Sequence, residues 1–176
     1  PRLPRCNNQM SIRPRVAVTG IGVVTSVGIG VAPFWRQLLA GACGIGQVES
    51  FDTGAYAVHI GGEVKGFDPA PFMRRLAPSD VARASQLAIA AARLALDDAG
   101  LDPAALDPGA VGVSLGTTSG EPDMIERFDD LELAGTRERI GSEFVGRYPS
   151  HVIAAHVASE FGFRGPNLVI PRSEEH

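Results

Sequence analysis

SDVARASQLAIAAARLALDDAG, residues 79–100, decides how the remainder of the chain is read. Ser79 is a good N-cap, Asp80 sits at the positive end of the dipole, and Gly100 supplies a left-handed stop. The spacing predicts a helix from Ser79 to Ala99, with Val81, Ala84, Ala88, Ala91 and Ala95 along one side and Leu87 and Leu94 beside them. A side made of alanine lets a neighbouring backbone come close, which suits a buried layer, so this helix is expected to be the most buried in the chain. Arg83, Gln86, Arg93 and Asp97 are expected to form its one wet edge.

On the N-terminal side, RVAVTGIG (15–22) reads as a strand entering a glycine turn. VAPFWRQLLAGACGIG (31–46) opens as a short amphipathic helix, with Pro33 near its first turn, Phe34, Leu38 and Leu39 on one face, and Gly41 as the stop. VHIGGEV (58–64) alternates as a strand interrupted by a Gly-Gly bend. On the C-terminal side, LDPAALDPG (101–109) is a proline-punctuated loop, and AVGVSLGTTSG (110–120) is a strand running into a Ser/Thr/Gly loop. EPDMIERFDDLEL (121–133) is a polar helical stretch, and PSHVIAAHVASEFG (149–162) is a helix capped by Ser150 and stopped by Gly162. GPNLVIP (165–171) is a turn followed by a short strand. Strands alternating with helices predict an α/β architecture, a mainly parallel sheet with helices on both faces. Arg15–Thr19, Val111–Leu115 and Asn167–Ile170 are expected among its central strands.

At 176 residues the chain fits one domain and can bury a core. Its 44% hydrophobic and 20% charged residues are those of a globular protein rather than a disordered one. A net charge of −4 without a Lys/Arg-rich patch argues against a nucleic-acid partner. The run VAVTGIGVVTSVGIGVA (16–32) imitates a signal sequence, but it has no Leu, carries four glycines and is rich in Val, Ile and Thr. It therefore reads as strand and turn, and no membrane partner is expected. Residues 1–9, PRLPRCNNQ, precede a plausible start at Met10 and read as a non-native or disordered leader. Cys6 and Cys43 make neither a CxxC pair nor a metal spacing, and a reducing, cytoplasmic setting follows as the default.

Several patterns tempt a chemical reading. Gly20-x-Gly22 after a strand suggests a dinucleotide cradle, but Thr25 stands where the third glycine belongs and Val24 breaks the short-chain dehydrogenase variant. The next helix also starts too late to meet a pyrophosphate, so a structural tight turn is the better reading. His151 and His156 lie five apart, about 140° around a helix, and share no face for a metal. Asp97-Asp98 and Asp129-Asp130 diverge as neighbours on a helix and read as solvated faces. GTTSG (116–120) suits either a pocket lining or a plain turn. Cys43 follows a glycine turn with no histidine near it in sequence, and no Ser-His-Asp or Cys-His set assembles. No catalytic, cofactor-binding or metal residue is assigned on these grounds.

Seven stretches in register nevertheless resemble one family. RVAVTGIGVVTSVG, FWRQLLAGACGIG, FDTGAY, IGGEVKGFDP, ASQLAIAAARLALDDAGL, VGVSLGTTSG and GPNLVIP follow the order seen in β-ketoacyl synthases, the condensing enzymes of fatty-acid and polyketide synthesis. The resemblance runs from about Arg15 to Pro171 and is weakest from Glu121 to Tyr148. It implies residues 10–171 as the N-terminal half of a thiolase-like domain. It also implies acyl thioesters and acyl carrier protein as partners, and a homodimer in the full-length form.

In that family the GPN turn and its strand lead into Thr-Ala-Cys at a strand-to-helix elbow, and the cysteine takes the acyl chain as a thioester. Two histidines and a lysine from the second half support decarboxylation and carbon–carbon bond formation. The corresponding positions here are Arg172, Ser173 and Glu174. Some relatives with Gln at the nucleophile position only decarboxylate, but Arg172 and Ser173 depart from the motif as well. Residues 172–176 are therefore expected to be a divergent tail, and the chain an N-terminal fragment inactive as written. The alternatives are a non-catalytic half-domain that partners a full-length ketosynthase or carrier protein, and a nicotinamide-binding domain.

Overall fold

The computed structural model describes residues 15–118, 120–136, 141, 144 and 148–170. The expectations for residues 1–9 and for Arg172, Ser173 and Glu174 lie outside these residues, as does Cys6. Among the described residues the order is helix α1 (Val31–Leu39), the two-residue strands β1 (Gly46–Gln47) and β2 (Ile60–Gly61), and helix α2 (Arg83–Asp98). Strand β3 (Val113–Gly116), helices α3 (Pro122–Leu133) and α4 (Ser150–Phe161) and strand β4 (Asn167–Ile170) follow.

β3 and β4 pair in parallel, Val113 opposite Asn167 through Gly116 opposite Ile170. Two of the three expected central strands are thus neighbours, and their carboxyl ends lie side by side. α4 lies against both strands and α2 packs on α4, giving a layered unit. Its core gathers Met73 and Val81 from the segment before α2, Ile89 from α2, and Val157 and Phe161 from α4. Alternation along β3 turns Val113 and Leu115 inward, with Val169 of β4 beside them, while Leu168 and Ile170 are about half exposed.

The third expected strand does not form. Arg15–Thr19 is assigned to no strand, and Val16 and Val18 are 93% and 84% exposed. β-branched residues favour a strand only where a partner backbone and a packing surface are present, and among the described residues neither lies beside this segment. The expected strand at 58–64 shrinks to Ile60–Gly61, antiparallel to Gly46–Gln47.

The glycine stops fall where the sequence places them: Gly41, Gly100 and Gly162 follow their helices with φ of 68°, 65° and 76°. The caps do not. Ser79 belongs to a 3₁₀ turn, Pro78–Asp80, and α2 starts after Ala82. Ser150 is the first residue of α4 rather than its cap. The wet edge of α2 also moves. Ser85, Ile89 and Arg93, spaced by four, form its buried stripe together with Ala90. α4, with Ile153, Ala154, Val157, Glu160 and Phe161 buried in a shorter span, is the more deeply covered helix.

The alanine side of α2 serves close approach, as expected. A Cβ built on Gly22 would come within 1.8 Å of the Ala91 carbonyl oxygen, and one on Gly20 within 2.2 Å of the Ala95 carbonyl oxygen. The Ile21 amide between them donates to Asp98 Oδ2 at 2.9 Å. Gly20-x-Gly22 is thus a docking strip for backbone on helix, and any side chain at Gly22 would displace it.

Candidate functional site

Ligands of open parallel sheets gather outside the carboxyl ends of the strands. β3 delivers Thr117 and Thr118 to that edge, next to Ile170 of β4. A cleft of about 420 Å³ opens there, lined by Thr118, Gly120, Glu121, Pro122 and Ile125 on one side and by Tyr148, Pro149, Ser150 and His151 on the other. Thr118 and Gly120 of GTTSG therefore line a pocket, the first of the two readings that the sequence left open. Gly120 lies so near the opposite wall that a Cβ on it would sit 2.1 Å from the Tyr148 carbonyl oxygen.

Behind the lip of the cleft is a buried polar cluster whose members lie far apart in sequence. Glu121, 2% exposed, accepts from the Ala84 amide through Oε2 and from the Ser85 amide through Oε1, both at 2.9 Å. This carboxylate, not Ser79, caps α2, and it lies where the helix dipole is positive. The Ser85 hydroxyl donates to Glu121 Oε1 at 3.2 Å and lies 2.9 Å from His156 Nδ1. With its proton directed at the carboxylate, the hydroxyl accepts from an Nδ1–H of His156. In a nucleophilic triad the imidazole stands between acid and hydroxyl; here the hydroxyl stands between the other two, and Ser85 is buried. The cluster organises structure rather than activating a nucleophile.

A second buried carboxylate does comparable work two turns further along the same buried stripe of α2. Glu160 accepts from the amides of Arg74, Arg75 and Leu76 at 2.6, 3.0 and 2.9 Å and pairs with Arg93 Nη2 at 3.4 Å. Arg93 also lies over the Phe161 ring, 4.4 Å from its centroid. Burial pushes the Arg93 guanidinium below its usual value, the nearby Arg74 charge adds to this, and Glu160 opposes it. Both carboxylates escape composition and spacing, because each acts on backbone far away in sequence. The only local signal is an acidic residue at the head of one helix and at the tail of another.

The remaining candidates separate. His151 is exposed in the first turn of α4 at the cleft, whereas His156 is turned inward to Ser85, so the two do not converge. Asp97, Asp98, Asp129 and Asp130 are exposed, and Asp98 alone of them holds backbone, at Ile21. Cys43 is a free, exposed thiol in a separate 350 Å³ cleft bordered by Thr25, Ser26, Glu63 and Lys65, with no histidine in its lining. Among the described residues no three His, Cys, Asp or Glu side chains gather as a metal site. No described helix is long and apolar enough to cross a membrane.

Comparison with known proteins bears on the whole arrangement. Residues 13–171 match the family described as Beta-ketoacyl synthase, N-terminal domain. The chain is 33% identical over 156 residues to 3-oxoacyl-[acyl-carrier-protein] synthase 2 of Vibrio cholerae, covering 89% of the chain and 38% of that protein. It is 30% identical to the enzyme of the same description from Staphylococcus aureus strain COL, over 90% of the chain and 38% of that protein. Among solved structures, the ishigamide ketosynthase/chain length factor superposes with a TM-score of 0.81 at 32% identity, over 87% of this chain and 38% of that one. A ketosynthase of a type II polyketide system, AntDE, solved with its acyl-carrier protein AntF and a bound hexaketide, shares the fold at a TM-score of 0.67 and 23% identity. The chain thus spans well under half the length of these relatives, and within that span the parallel β3–β4 pair, the helices packed on it and the seven sequence stretches agree: it belongs to the β-ketoacyl synthase family, in the thiolase-like fold, through the N-terminal domain.

Proposed function

We propose that the chain is the N-terminal half of a cytoplasmic β-ketoacyl-[acyl-carrier-protein] synthase. The whole domain would condense an acyl thioester with malonyl-carrier protein by decarboxylation, in fatty-acid or polyketide assembly, and would work as a homodimer. The observation that carries this reading is the family match over residues 13–171, which includes every residue that lines the cleft. The acyl carrier protein bound to a ketosynthase of the same fold supports a carrier protein as partner.

Condensation needs a thiolate to accept the acyl group and donors to stabilise the developing oxyanion. By the family resemblance Glu174 occupies the nucleophile position. A carboxylate there would give a mixed anhydride, which water cleaves, rather than a lasting thioester. By itself the chain is therefore proposed to hold no acyl group. Incubation of the purified chain with acyl- and malonyl-carrier protein, followed by intact-mass spectrometry, is expected to show no acyl adduct and no carbon dioxide release. A stable adduct on Cys43 or any other residue overturns the proposal.

A second reading is a non-catalytic half-domain that partners a full-length ketosynthase or its carrier protein. Specific capture of such a ketosynthase by the tagged chain, with no acyl transfer to the chain, would select it.

A further inference from the structure

The cleft that Thr118 borders just past the carboxyl end of β3 has walls from two helices, and neither wall is fixed by apolar packing alone. α3 brings Glu121, Pro122 and Ile125; the start of α4 brings Pro149, Ser150 and His151. Glu121 belongs to the lip by position, yet its carboxylate points away from the opening into the protein. There it takes the Ala84 and Ser85 amides and the Ser85 hydroxyl. Ser85 then reaches His156, one and a half turns along α4 from the opposite wall. The Met124 amide, in the first turn of α3, donates to the Glu121 carbonyl at 3.0 Å. One residue thus begins α3 with its backbone and caps α2 with its side chain, and it is linked to α4 through a single hydroxyl.

We infer that Glu121 is a positioning residue that sets the separation of the two cleft walls, by pinning the head of α3 to the N-terminus of α2 and, through Ser85 and His156, to α4. This goes beyond the functional proposal above and stands whether or not the cleft takes an acyl group. Burial of a carboxylate is costly unless its oxygens are satisfied, and three donors satisfy this one. Apolar contacts tolerate sliding, whereas a buried charge with directed donors has one good position. The same residue type on the surface would leave the walls free to drift by side-chain repacking. Gly120, immediately before Glu121, fixes the direction of the pin, because it is already in contact with the backbone of Tyr148.

Hydrogen–deuterium exchange followed by mass spectrometry tests this on the whole chain and tolerates self-associated samples. Glu121→Gln keeps the size of the side chain and removes the charge. It is expected to speed exchange roughly tenfold in peptides covering 120–127 and 148–153, and in the Ala84–Ser85 region, as loss of a charge-assisted pin allows. Peptides from the middle of α2 and the end of α4 should exchange as before. If only the Ala84–Ser85 region responds, Glu121 is a helix cap and nothing more, and the inference fails. If all peptides respond equally, it is a general prop of the fold, and the inference fails likewise. Ser85→Ala provides an independent arm should Glu121→Gln not fold, since it keeps both backbone contacts and removes the link to His156. It should loosen 148–153 while leaving 120–127 protected; no change at 148–153 overturns the coupling to α4.

Discussion

Without the guanidinium of Arg93, the carboxylate of Glu160 would keep its three amide donors but lose its charged partner, at a site where the carboxylate side chain is fully buried. Breaking a buried pair by removing one member costs about 3–5 kcal/mol, more than the about 1–3 kcal/mol of forcing extra methylenes into a packed layer. Arg93→Leu is therefore expected to lower the melting temperature, followed by circular dichroism, further than Ala88→Leu. The reverse order would mean that Arg93 contributes little beyond its stem. The sequence suggests the opposite ranking, because an arginine on an alanine-rich helix reads as the wet edge. What the spacing cannot show is Glu160, which lies 67 residues away and turns that edge inward. Glu121 escapes notice for the same reason, as its partners Ala84 and Ser85 lie 37 and 36 residues before it.

At the level of elements, local signals were legible and borrowed ones were not. Three glycine stops and the four helices among the described residues follow from spacing and turn chemistry, because those forces act within a few residues. Arg15–Thr19 and most of 58–64 fail as strands because a strand is made by its neighbour. The segments flanking β1 and β2 show how a side chain can stand in for missing ladder bonds. Glu63 accepts from the Glu49 and Ser50 amides at 3.0 and 2.9 Å and so joins the two arms past the end of their short ladder. Hydrogen bonding from Ser50, through its side chain, and then from the Glu49 amide holds the Glu63 carboxyl below its ordinary value of 4.5. A carboxyl depressed in the folded state contributes stability that is present above its unfolded value and is lost as the pH falls through the folded one. Exchange at Glu49 and Ser50, corrected for the intrinsic pH dependence, is thus expected to rise below about pH 4.5 and to be insensitive to pH in Glu63→Gln. An identical rise in that variant would assign the effect to another group.

For the molecule as a whole, the contact of α2 with α4 is well covered, whereas much of the remaining surface is apolar. Trp35 and Leu39 of α1 are 56% and 71% exposed, and Leu133 at the end of α3 is 87% exposed. With Val16, Val18, Leu168 and Ile170 also open, these residues leave apolar faces and free strand edges of the kind that drive association. The purified chain is expected to self-associate at low micromolar concentration, and co-expression with a polypeptide matching the remainder of a ketosynthase should relieve this. Light scattering decides the point; a monodisperse monomer with a sharp melt would show that the chain folds alone and would favour the partner reading of its function.

The parallel pairing of β3 with β4 also has a kinetic side. Val113 meets Asn167 only after roughly fifty intervening residues have been made, and closing a loop of that length carries an entropic cost before any contact repays it. During synthesis at about 5–20 residues per second, β3 waits some seconds with both edges bare. α2 is complete well before that, whereas its cap at Glu121 and its packing partner α4 both arrive later. The layered unit can thus close only once α4 and β4 have been made, so the wait is set by the distance along the chain between two short strands rather than by the strength of either.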